Sequence, residues 1–68
     1  MSEPDPPQDV RLQYDDGTTS DVLPLLYVGR DDDGMHVWEA LAPDARRPIG
    51  LTAEVVPAQT SILVGYGL

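Results

Sequence analysis

Cysteine, lysine, asparagine and phenylalanine are all missing from this 68-residue chain, and histidine occurs once, at His36. Without cysteine there can be no disulfide and no thiolate metal site, and one imidazole is too few for a nitrogen-rich centre. No apolar run is long enough to span a bilayer. The chain opens without the basic-then-apolar pattern of a signal peptide. Its expected location is therefore the cytoplasm of the producing cell, or a virion if a phage encodes it. Basic residues are scarce too: four arginines face 12 acids, for a formal net charge of −8. Such a surface repels phosphates and anionic lipid heads, which disfavours direct binding to nucleic acid or membrane. The absent Lys, Asn and Phe are the residues of AT-rich codons, a bias that points to a high-GC source such as an actinobacterium or one of its phages.

A chain of this length holds one domain, and a domain this small buries only about 60% of the surface its unfolded chain exposes. Small scaffolds compensate with disulfides, a structural metal or oligomerisation. Composition removes the first two, so association with another copy or with a larger body is the expectation.

Met1 to Asp9 contains three prolines and three acids, and reads as an extended, polyproline-like or disordered arm. Residues 10–68 form the single domain. Val10, Leu12 and Tyr14 alternate with Arg11 and Gln13, the pattern of a half-buried strand. Asp16-Gly17 supplies the next turn. Val22 to Gly29 is the longest apolar run and a second strand, whose Pro24 cannot donate to a ladder and marks an edge or a bulge. Asp33-Gly34 favours a hairpin, so Met35 to Leu41 returns as a third strand; a helix over Met35 to Ala45 is the rival, disfavoured by aromatic and β-branched content. Ile49 to Val56 alternates as a fourth strand, and Thr60 to Tyr66 is the last. The expected fold is all-β: an antiparallel meander or small barrel of about five short strands behind the proline-rich arm.

Two of these strands carry apolar residues on both faces. Leu23, Leu25 and Tyr27 lie opposite Val22, Leu26 and Val28, and Ile62, Val64 and Tyr66 lie opposite Leu63. Bulges at Pro24 and Gly65 could redirect some of them into a barrel. Otherwise the surplus forms a patch larger than soluble monomers usually tolerate. Candidate interface residues are Val22, Leu26, Tyr27, Val28, Trp38, Ile62, Val64 and Tyr66, with Tyr27, Trp38 and Tyr66 as aromatic anchors. Arg46-Arg47 is the only basic pair, and Asp31, Asp32 and Asp33 are its natural complement on a neighbouring subunit.

Catalytic patterns fit poorly. Asp31-Asp32-Asp33-Gly34 resembles a calcium loop, but with Gly34 at the turn the first and last ligand positions fall on Gly29 and Ala40. Ser20, Ser61 and His36 lack a nucleophile-elbow context. Glu39 is the sole acid inside the third strand, and Gly65-Tyr66-Gly67 has no following helix to present amides to a phosphate. The expectation is a non-enzymatic interaction protein with no cofactor and no metal, which assembles with itself or docks on a larger body. Its most concrete form is a phage capsid decoration protein. The alternative is an acidic inhibitor or DNA mimic, with Asp15, Asp16, Asp21 and Asp31 to Asp33 on one face.

Overall fold

Apolar alternation from Val10 to Tyr14 puts three large side chains on one side of an extended segment, and a computed structural model of residues 4–66 shows all three buried. The segment forms β1 (Arg11–Gln13). Four further strands follow: β2 (Leu25–Arg30), β3 (His36–Ala42), β4 (Gly50–Thr52) and β5 (Thr60–Tyr66). The described residues contain no helix. The fold is all-β.

The strands form two small sheets. β1 pairs antiparallel with β4, Leu12 opposite Leu51, while β2, β3 and β5 make a three-stranded sheet with β3 at its centre. The β2–β3 pair is antiparallel, as the hairpin demands. The Asp31 carbonyl accepts from the Gly34 N–H (3.0 Å), Gly34 takes a left-handed φ of 80°, and the Asp31 carboxylate caps the N–H groups of Asp33 and Met35.

β5, however, runs parallel to β3, from His36 opposite Thr60 to Ala42 opposite Tyr66. The fold is therefore not a meander, and its sheets do not close into a barrel. The reason is β4. By leaving the main sheet to pair with β1, it turns residues 43–59 into a crossover of the length that a parallel connection requires.

β4 is also shorter than the alternation of Ile49 to Val56 predicts. Asp9 sits at φ 53°, a left-handed conformation that aspartate tolerates better than most residues, and the ladder lapses there. Pairing resumes one step on, where the Gln8 N–H donates to the Val55 carbonyl (2.9 Å) and the Glu54 N–H to the Gln8 carbonyl (2.8 Å). Pro7 is buried, so from Pro7 onward the chain belongs to the packed domain. Met1 to Glu3 of the expected arm, and Gly67 and Leu68 at the other end, lie outside the described residues.

The core fills the space between the sheets. Val10, Leu12 and Tyr14 come from the β1 segment, Leu23 precedes β2, and Ala40 and Ala42 line the inner side of β3. Leu25, Leu51, Ala53, Ile62 and Val64 pack around them. The two alanines on the central strand let the β1 side chains settle close to the sheet. The bulge lies between Tyr27 and Gly29, and Gly29 adopts φ 135°; the ladder is regular at Gly65.

Leu12 is fully buried in this small core. Leu12→Ala should cost about 2–5 kcal/mol. A chain of this size has a total stability of roughly 3–10 kcal/mol. The expected outcome is a variant largely unfolded by mild urea, read from the fluorescence of Trp38.

Candidate interaction surface

The β1–β4 layer covers one face of the three-stranded sheet, and alternation assigns the residues of the other. Leu26, Glu39 and Leu63 stand in one row across the strands. Val28 from the bulge, Val37, Leu41, Ser61 and Gly65 complete this outer face. Leu26 and Val28 are 57% and 58% exposed, and Leu63 is 50% exposed. A Cβ on Gly65 would come within 2.6 Å of the Glu39 Cδ, so the Glu39 side chain lies folded over the glycine instead of standing off the sheet. The outcome is an apolar strip with one carboxylate near its centre.

Of the expected interface residues, Val22, Leu26, Val28 and Tyr66 are exposed. Ile62 and Val64 are half-buried and pack against the core, and Leu63, not singled out from sequence, takes the outward position. Ser61 and Gly65 share its parity, and such small or polar neighbours are the signal of a solvent-side register. Trp38 is buried within its own chain. It is 6% exposed, packed at 5.1 Å against the half-buried Tyr27, whose hydroxyl lies 3.0 Å from His36 Nδ1. The indole Nε1–H of Trp38 is buried with no hydrogen-bond partner.

The charged groups are occupied differently from the sequence reading. Arg46 donates to the Asp16 carboxylate at 2.6 Å and stacks over the Tyr14 ring at 4.1 Å. The partner of this arginine is thus within its own chain, 30 positions away, with no sequence signal to announce it. Arg47 is exposed and makes no ion pair among the described residues. Asp31 spends one carboxylate oxygen on its own hairpin. Hydrogen bonds from the Thr18 hydroxyl, the Thr18 amide and Arg46 hold the Asp16 carboxyl well below the usual carboxylate range.

Asp9, Arg11, Thr52, Ala53 and Glu54 border a shallow, open depression of about 440 Å³ where the β1–β4 ladder lapses. There a hydrogen bond with Asp9, followed by like-charge repulsion from it, raises the Glu54 pKa. Two solvated carboxylates beside one arginine offer no desolvated acid or base. Among the described residues no group of three or more potential ligands could hold a metal ion, and no helix is long and apolar enough to cross a membrane. No protein-family model, no curated protein and no solved structure matches this chain.

Two expectations follow. Because the Asp16 pKa is lowered on folding, its contribution is present above the unfolded aspartate value and is lost as pH falls through the folded one. Asp16→Asn should therefore lower the melting temperature at neutral pH, and the gap to the parent should close in strong acid. At Trp38, Phe removes the orphaned donor, whose burial costs about 1–3 kcal/mol, at a similar loss of packed area. Trp38→Phe should stay within about 1 kcal/mol of the parent, whereas Trp38→Ala should lose about 3–5 kcal/mol in urea titrations.

Proposed function

We propose that this chain is a non-catalytic assembly module that buries its outer sheet face and adjoining edge against protein. Its partner is a second copy or a larger body, in the most concrete form the shell of a phage capsid. One observation carries the reading: Leu26, Val28 and Leu63 are each at least half exposed on one face of a sheet whose other face holds the core. Single exposed apolar residues need no explanation, but several sharing one face of a sheet mark an interaction site. The parallel β3–β5 pair adds weight, because parallel strands are ordinarily covered on both faces, and here Leu26, Val28 and Leu63 stay exposed on one of them while Val37 beside them is buried.

Mimicry of DNA receives less support. The Asp31–Asp33 turn opens the N-terminal end of β3, whereas Asp16 is tied to Arg46 in the loop that leaves its C-terminal end.

The test is native mass measurement across a concentration series, on the parent and on Leu63→Ser. The Leu63 side chain is half exposed, so the variant should unfold within about 0.5 kcal/mol of the parent. Its association should weaken by about tenfold or more, the effect of losing about 1.4 kcal/mol of interface energy. A parent that stays monomeric at every concentration and does not co-sediment with phage capsid shells would remove the reading.

A further inference from the structure

We infer that β5 pairs antiparallel with β5 of a second copy, joining two molecules into one six-stranded sheet; this rests on the assembly reading and names its partner. The ladder to β3 fixes which backbone groups are free. The His36 N–H donates to the Gln59 carbonyl at 2.7 Å, so Gln59, Ser61, Leu63 and Gly65 direct their polar groups toward β3. In a strand the alternate residues point the other way. Thr60, Ile62, Val64 and Tyr66 therefore aim N–H and C=O groups away from β3, and no backbone partner meets them among the described residues. Such a row is a template for another strand.

The two edges of the sheet differ in how they are guarded. β2 is preceded by Pro24, bent by the bulge at Val28, kinked at Gly29 and ended by Arg30, devices that discourage pairing. β5 has none of them. Its seven residues, Thr60 to Tyr66, contain no charge and no proline, and its ladder is regular throughout.

A second copy fits this edge better than a generic partner because β5 is self-complementary. Antiparallel pairing about Leu63 sets Thr60 opposite Tyr66, Ser61 opposite Gly65 and Ile62 opposite Val64. Every inward side chain then meets an inward one, and every outward-directed backbone group finds a partner. Charge permits the approach as well. β5 itself carries no charge, and Glu39 is the one acid on the strand beside it. The antiparallel arrangement also sends the two Asp31–Asp33 turns to opposite ends of the joint sheet. With β2 guarded at both outer edges, growth stops at the dimer.

Leu63 lies on the twofold axis as a non-hydrogen-bonded pair, where Cα atoms stand about 4.5 Å apart, within the range a disulfide spans. The chain has no cysteine, so Leu63→Cys introduces a single thiol, and Leu26→Cys on the guarded edge is its control. Trp38 fluorescence reports that each variant is folded. Thiols held together in a dimer meet at an effective concentration on the order of millimolar, so at about 10 µM protein Leu63→Cys should cross-link roughly a hundredfold faster than random collision. Leu26→Cys should not exceed the collision rate, and native mass should give twice the chain mass for the parent. Equal rates for the two thiols in a parent that still associates would overturn the β5 pairing and leave the assembly reading in place. Equal rates in a strictly monomeric parent would overturn the pairing together with self-association.

Discussion

The pairing of β1 with β4 holds Leu12 and Leu51 over the small side chains of Ala40 and Ala42, and this contact between a two-stranded and a three-stranded sheet is what the molecule depends on. It draws β4 out of the main sheet, which lengthens the connection to β5 and lets that strand enter parallel to β3. It also uses up the only covering layer. A sheet has two faces, and two short strands can shield one. The other is left with whatever the strands place on it, here Leu26, Val28 and Leu63.

Electrostatics arranges itself around this core without entering it. No polar or charged residue is buried among the described residues, apart from the polar atoms of the core aromatics. Acids cap the turns that the topology needs: Asp16 holds Thr18, Asp31 holds Asp33 and Met35, and Asp44 holds Arg46. The acidic excess thus does local work at strand connections before it does anything at long range. Exposed ion pairs of this kind contribute modestly, and the Asp16–Arg46 pair gains from the aromatic ring of Tyr14 beneath the guanidinium.

Strand positions were legible where period and punctuation agreed. Thr60 to Tyr66 carries the same bounds in sequence and structure, and the Asp-Gly turns fall at Gly17 and Gly34, each with positive φ. The division of β2 into Leu25 and Tyr27 against Leu26 and Val28 also follows from alternation alone. Partnership was not legible. Period-two patterning says which side chains share a face, but nothing in Thr60 to Tyr66 records whether its neighbour runs parallel or antiparallel. The side of Trp38 was equally undetermined, since Val37 and Leu41 make one face of β3 apolar while Trp38 and Ala40 do the same for the other. The lapse at Asp9 depends on a single backbone angle, and the Arg46–Asp16 clasp joins loops distant in sequence.

Glu39 bears on how the open face can be used. It stands between Leu26 and Leu63 in the row that crosses the sheet, half-buried and folded over Gly65. No lysine exists in the chain, and none of the outer-face residues is an arginine. Two copies stacked face to face would bury two carboxylates against apolar surface with no cation to meet them, at a cost of several kcal/mol per ion. Lateral joining along β5 instead leaves each Glu39 in water, two strands from the seam's far side and beyond the reach of its counterpart. One carboxylate in an apolar strip thus separates the two ways this sheet could associate with itself, and it favours the edge.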